Sequence, residues 1–411
     1  MLTLGIPSFR LEKEVLNAEI DVLREMGVSF KTGVEVGKDI TLNQLREEGY
    51  EAFYLAIGAQ GGRRLGIEGE ESQGVVSGVD FLRNVNLGRK SELSGNVVVI
   101  GGGNVAIDVA RTAKRQGAEE IHLYCLESPG EMPALPEEIE EAKEDSVSFH
   151  NGWGPKRILT EDGKVTGVEF KRCTSVFDAD HRFAPKYDEN DTIVVKADFV
   201  LLSVGQSIEW GGLLSGSRVE LGRGGNAYAD SLTLQTAEPD VFVGGDCFTG
   251  PKFAIHAIAS GKEGAISIHR YVQPGQSLVF GRDRREYHAF DKNNIAIGIQ
   301  DFDMTPRQRP GHSPEKKGTF QDERMTFTEE QLKKETERCL GCGTVEIDSY
   351  KCIGCGLCTT KCKFDAISLE RTYDTVPNTY EKLPVKIATN AIVRTGKIAA
   401  TTLKESVINR S

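Results

Sequence analysis

The chain has 411 residues, 39% of them hydrophobic, and a formal net charge of -11. At roughly 100–200 residues per domain, that length implies about two to four units, and intermixed acidic and basic residues argue against nucleic acid as the main partner. No apolar run reaches the about 18 residues of a membrane span, and the first twenty residues lack a basic stretch followed by an apolar block, so the expected address is the cytoplasm.

In chain order, an amphipathic stretch from Leu11 to Met26 comes first, and the apolar run 51–59 then ends as a buried parallel strand turning into a loop at Gly58. A Gly-rich patch (60–74) and a helix-like VDFLRNV follow. From Asn96, NVVVIGGGNVAIDVARTAKRQGAEEIHLYCLE reads strand, glycine turn, helix, strand, the alternation of a parallel sheet. Further strands are expected at KVTGVEFKRC, TIVVKADFVLLSVGQ and DVFVGGD, the last leading into a helix that carries His256, read as a packing residue. Residues 280–325 show weak periodicity, as a long connector would. Thr328 and Gln331 have capping-box form and predict a short helix ahead of Cys339.

Gly101-Gly102-Gly103-Asn104-Val105-Ala106 fits G-x-G-x-x-A between a β-branched strand and a helix. Gly101 permits the tight turn and Gly103 lets the backbone approach a pyrophosphate. Asn104 opens the helix whose N-terminus favours that anion, and Ala106 keeps helix and strand close. Glu127 ends the second strand about twenty residues on, where a carboxylate accepts from the adenine-ribose hydroxyls. Beside a 2′-phosphate it would meet a like charge, at roughly 4 Å and an effective dielectric of 20 a penalty of about 4 kcal/mol before relaxation. No Arg lies between Leu123 and Glu131, so NAD(H) is favoured over NADP(H).

Val241-Phe242-Val243-Gly244-Gly245-Asp246 followed by a helix resembles the second FAD fingerprint of two-dinucleotide-domain flavoproteins. An Asp at a strand end beside two glycines can hold a ribityl hydroxyl while backbone approaches phosphate, which makes Gly245 and Asp246 candidates for FAD. Of nine cysteines, six lie between Cys339 and Cys362, a clustering that reads as metal ligation. Cys352-x2-Cys355-x2-Cys358-x3-Cys362 has bacterial ferredoxin spacing and predicts one 4Fe-4S cluster. Cys352, Cys355 and Cys358 are its best ligands, with Cys362, Cys339 or Cys342 as the fourth. A second cluster would need a ligand from elsewhere, and zinc on paired C-x2-C motifs is the rival. Cys125, Cys173 and Cys247 stand alone, and Cys247 reads as a small buried thiol.

GIPSFRLEKEVLNAEID, YLAIGA, VVVIGGGNVAIDVAR, EMPA (131–134), SVGQ (203–206) and GGDCFTGPKFAIHAIASGKEGA together resemble the glutamate synthase small-subunit family. That family includes the large subunit of NADH-dependent ferredoxin:NADP oxidoreductase and flavoprotein subunits of anaerobic electron-transfer complexes. The resemblance implies an α/β fold of two interleaved dinucleotide-binding, Rossmann-like domains with a small C-terminal ferredoxin-like module. It places Gly58, Gly205 and Gln206 in the interdomain linkers and Phe253 and Ala254 on the flavin side. In the family an FAD-binding glycine turn precedes the GIP segment, and none precedes it here. The chain is therefore expected to be a fragment, an internal start, or one piece of a split flavoprotein whose partner chain supplies that turn. The expected division is 1–92 and 209–295 for FAD, 93–208 for NAD(H), 296–330 as connector, 331–372 for iron–sulfur and 373–411 as tail.

The implied function is an NADH-dependent flavin and iron–sulfur oxidoreductase subunit that passes electrons between NAD(H), FAD and the cluster to a partner subunit or ferredoxin. Electron bifurcation belongs to the same resemblance. The alternatives are a glutamate synthase small subunit and a non-catalytic electron wire.

Overall fold

The computed structural model describes residues 1–282 apart from 90, 92 and 181, then 305–339, 347, 352–361, 367–370 and 380–408. It divides into two units, 1–338 and 339–411.

The first unit begins with α1 (Lys13–Glu25) and a short α2 (Leu42–Glu47), whose Thr41 and Gln44 form a reciprocal cap. Next come β1 (Phe53–Leu55), β2 (Gly61–Gly62), β3 (Val75–Ser77) and α3 (Gly78–Asn86). The alternating stretch gives β4 (Asn96–Ile100), α4 (Asn104–Arg115), β5 (Glu120–Cys125), α5 (Pro136–Glu144) and β6 (Ser148–Asn151). Three long strands follow, β7 (Trp153–Glu161), β8 (Lys164–Phe177) and β9 (Phe183–Lys196), then β10 (Phe199–Leu202) and β11 (Gln206–Ser207). β12 (Val241–Val243), α6 (Asp246–Thr249), α7 (Ala254–Tyr271) and α8 (Glu329–Glu337) close the unit.

The central sheet has strand order β3-β10-β4-β5-β6, and every pair in it is parallel. β4 is covered on both faces, which is why it reads as an unbroken apolar run. Val97 and Val99 face α3 and α4 with Ile107, Ala110 and Leu123, while Val98 and Ile100 face the β7–β9 meander with Tyr124, Ile158, Val168 and Phe170. The segment TIVVKADFVLLSVGQ is two strands, since it breaks at Ala197–Asp198 between β9 and β10. β3 and α3, expected in the flavin part before residue 93, join this sheet instead, because Val75–Ser77 pair with Val200–Leu202.

A second lobe forms around the parallel pair β1 and β12, with Phe53, Leu55, Val241 and Val243 packed on Leu42, Leu213 and the buried thiol of Cys247. The two linkers cross side by side, β2 antiparallel to β11. These are the two interleaved α/β dinucleotide-binding lobes that the motif order implied. α7, which packs on β1 and β12, leaves Ile255, Ile258 and Ile266 in water, and α1, which has no buried residue, leaves Val15, Val22 and Leu23 there. His256 is exposed on α7 and does not pack into the core.

In its described part, the stretch expected as a connector is anchored. Arg115 on α4 donates to the Thr319 carbonyl at 2.8 Å and to Asp145 at 2.6 Å, and its guanidinium lies 4.1 Å from the Phe9 ring centre. Phe9 meets Phe320, and Arg111 pairs with Asp145 at 2.7 Å and with Glu323 at 3.5 Å. Thr328 and Gln331 cap α8 reciprocally.

The second unit contains α9 (Leu357–Lys361) and α10 (Leu383–Ile408), a helix within the expected tail. Among the described residues, no helix is long and apolar enough to cross a membrane.

Candidate functional site

The carboxyl ends of β10, β4 and β5 meet at the glycine turn. Gly101 has φ +142°, donates to the Tyr124 carbonyl at 2.9 Å, and would drive a β-carbon into the Ser203 carbonyl. Only glycine serves there. At Gly103 the opposite holds: a β-carbon would meet nothing within 4 Å. Gly103 is the N-cap of α4, and no side chain caps that helix. Ala106 is fully buried against the core and donates to the Gly103 carbonyl at 2.9 Å. This cradle fits a pyrophosphate.

Asn104 has a structural task, since its Oδ1 accepts from Leu135 N–H at 2.9 Å. The Ala134 N–H donates to the Gly102 carbonyl at 3.1 Å, so the EMPA segment buttresses the turn from outside.

Glu127 is half-buried, and one carboxylate oxygen lies 2.5 Å from the place a β-carbon on Gly102 would take. Among the described residues no cation pairs with it. Its backbone carbonyl receives Gly152 N–H at 3.2 Å and Asn151 Nδ2 at 3.1 Å. Burial, followed by the neighbouring Glu127 charge, pushes the Cys125 thiol up to about 12, so it is no nucleophile at neutral pH. Arg172 of β8 comes near Gly152, but Asp191 engages it at 3.1 Å and it stacks 3.7 Å from the Trp153 ring centre.

On the flavin side, Gly245 has φ +65° and ψ -150° and starts α6, and its N–H donates to Ser260 Oγ at 2.8 Å. Asp246 is half-buried, and its Oδ1 accepts from Lys252 N–H at 3.1 Å. Among the described residues its other oxygen takes no hydrogen bond, which fits a ribityl hydroxyl. Phe253 is exposed and is the N-cap of α7 without a side-chain bond, and Ala254 opens that helix. Gly58 (φ +72°) lies in the first linker, and Gln206 of the second donates from Nε2 to the Ala59 carbonyl at 3.1 Å. The Gly205 carbonyl accepts from Arg63 N–H at 3.0 Å, so the linkers are bound to each other.

In the second unit Cys352, Cys355 and Cys358 are exposed thiols without disulfides, and Gly354 and Gly356 between them have φ +66° and +77°. The spacing of these thiols and the left-handed glycines between them are those of an iron–sulfur loop, although among the described residues no three such ligands converge on one point. Cys339 is exposed. Cys342 and Cys362 lie outside the described residues.

The sequence reading passed over Ser77 and Ser203. Their hydroxyl oxygens are shielded from water and have no hydrogen-bond partner among the described residues. A serine directly ahead of a helix-like run was the available signal for the first.

A family model described as pyridine nucleotide-disulphide oxidoreductase matches residues 12–261, and one described as 4Fe-4S binding domain matches 345–368. The NADP(+)-dependent formate dehydrogenase subunit beta of Moorella thermoacetica is 34% identical over 355 residues, 83% of this chain and 49% of that protein. The NADPH-Fe(3+) oxidoreductase subunit beta of Geobacter sulfurreducens is 30% identical over 374 residues, 83% of this chain and 55% of that protein. The NADPH glutamate synthase small chain of Escherichia coli is 32% identical over 296 residues, 66% and 61% of the two chains. The chain thus spans about half the length of the first two relatives. Among solved structures, FprA of Mycobacterium tuberculosis in complex with NADPH superposes with a TM-score of 0.54 at 18% identity, covering 66% of this chain and 74% of that one. The chain belongs to the pyridine nucleotide-disulphide oxidoreductase family and carries a 4Fe-4S binding domain at residues 345–368.

Proposed function

We propose that this chain is an NADH-dependent flavin and iron–sulfur oxidoreductase subunit, moving electrons between NAD(H), FAD and one 4Fe-4S cluster and on to a partner subunit or ferredoxin. When bound, the nicotinamide and flavin exchange a hydride and the cluster takes electrons singly. The chain's own residues bind and orient. In this reading the uncapped start of α4 and Gly103 hold the pyrophosphate, Glu127 accepts from the adenine-ribose hydroxyls, and Asp246 accepts from the ribityl chain. Cys352, Cys355 and Cys358 ligate iron, with Cys339, Cys342 or Cys362 as fourth ligand. We take the lobe boundaries to be the crossings β2 and β11. The exposed apolar faces of α1 and α7 support further polypeptide, from a partner or from more of the same protein, packing against the flavin lobe.

The observation that carries NADH over NADPH is the Glu127 carboxylate set against the glycine turn without a cation. A second reading, NADPH, is favoured by the names of the relatives and by Arg172, which a 2′-phosphate could draw from Asp191. Anaerobic purification of the full chain, with flavin and iron assays and bleaching by each nucleotide, tests both readings. Rapid bleaching by NADH alone supports the first and by NADPH alone the second. Iron without flavin, and no bleaching, would leave an electron wire. Flavin gained on co-expression with a partner subunit would support completion of the lobe by another chain.

A further inference from the structure

We propose that the hydroxyls of Ser77 and Ser203 bind the nicotinamide half of the dinucleotide, through its carboxamide or its ribose hydroxyls. The inference rests on the nucleotide site proposed above and adds its missing end. Dinucleotides cross a parallel sheet at the carboxyl ends of the strands, where the strand order reverses. Here that reversal lies between β4 and β10: β4, β5 and β6 run outward in sequence order on one side, and β10 and β3 lie on the other. With the pyrophosphate at Gly103 and the adenine ribose at Glu127 beyond β5, the remaining half extends over the ends of β10 and β3. The next residue along that edge from Gly101 is Ser203, whose Cβ lies 3.2 Å from a β-carbon built on Gly101. Ser77, the last residue of β3, is beyond it.

Both hydroxyls are in an unusual state. Ser77 is the N-cap of α3, yet its side chain makes no capping bond, the task that serine ordinarily performs there. Ser203 follows β10 directly, and its Oγ likewise lacks a partner. Backbone covers both, Gly62 against Ser77 Oγ and Gly78 against Ser203 Oγ, so the dinucleotide reaches the hydroxyls only when these two glycines shift aside. A shielded hydroxyl without a partner is unfavourable, and a bound group with donors and acceptors removes that penalty. The other orphaned side-chain atoms among the described residues, on Thr112 and Glu138, belong to α4 and α5, away from this edge.

The test is calorimetric binding of NAD+ and of ADP-ribose, which lacks the nicotinamide, to the full chain with its iron–sulfur cluster intact. Ser77→Ala and Ser203→Ala are compared singly and together, with Thr112→Ala as control. The proposal expects the double variant to weaken NAD+ about tenfold, one ordinary hydrogen bond or more, with ADP-ribose within about twofold of the parent. Unchanged NAD+ binding in all variants overturns it, and so does equal weakening of both ligands, which marks a structural role. If Ser203→Ala fails to fold, Ser77→Ala decides alone, since it removes no cap. A parent chain that binds neither ligand overturns the nucleotide site itself, and this inference with it.

Discussion

The Glu127 carboxylate faces Gly102, one oxygen 2.5 Å from where that glycine's β-carbon would be. The two residues come from the ends of neighbouring strands, β5 and β4, and together place a negative charge beside the glycine turn. Replacing Glu127 with Gln removes the charge and keeps the shape. The expected outcome is a shift of about tenfold or more in the NADPH-to-NADH ratio of kcat/KM, toward NADPH. An unchanged ratio would mean the side chain turns to solvent when nucleotide binds.

Gly101 and Gly103 separate folding from binding. Gly101→Ala puts a methyl into the Ser203 carbonyl at a positive φ, and the expected result is a large loss of thermal stability. Gly103→Ala meets nothing in the protein, so its Tm should match the parent while the methyl enters the space proposed for pyrophosphate. Nucleotide affinity should then fall at least about tenfold, measured by titration beside a melting curve.

Arg115 ties the stretch 305–328 to α4. Its side chain is 1% exposed and serves Asp145, Thr319 and the Phe9 ring at once. Arg115→Ala leaves Asp145 paired with Arg111, so no buried charge is orphaned, and the lost charge-assisted hydrogen bonding costs about 1.5–3 kcal/mol. Chemical denaturation should record that loss, and limited proteolysis should cut first within 305–328.

Burial holds the Asp108 carboxyl above its ordinary 3.8 despite the pull of Arg10, 2.6 Å away. A carboxyl raised on folding gives its stability in full below the ordinary value and loses it as pH rises through the folded value. Asp108→Asn does not titrate. Its stability should therefore gain on the parent as pH rises above about 4, read from paired melting curves. A constant difference across pH would contradict this.

Thiol reactivity should divide in two. Burial raises Cys125, Cys173 and Cys247, the first to about 12, whereas Cys352, Cys355 and Cys358 are exposed. After iron is removed by chelation, iodoacetamide at mildly alkaline pH should label the second group and spare the first, as read by peptide mass spectrometry.

Features made by adjacent residues were legible without a structure. The glycine turn, the β-branched strand before it, the buried Cys247, the Thr328 cap and the cysteine spacing each depend on neighbours a few positions apart, and so does the family that they identify. Features made by pairing across strands were not. The β3–α3 unit reads as part of the flavin lobe until β3 is seen to bind β10, because a three-residue strand has no periodicity of its own. Asn104 reads as part of the glycine turn, but the distant Leu135 N–H that its side-chain oxygen accepts left no trace in the sequence. His256 lies on an apolar stretch whose helix leaves that side in water. Residues 305–328 lack a pattern because charged groups and one aromatic ring on α4, α5 and the N-terminal segment hold them, and ion pairs leave no periodic trace. Residue spacing pointed to the dinucleotide and iron–sulfur chemistry, and the family resemblance added the flavin. Which carboxylate faces the turn, and which hydroxyls stand without a partner, depended on the strand order of the folded sheet, which brings residues far apart in sequence to one edge.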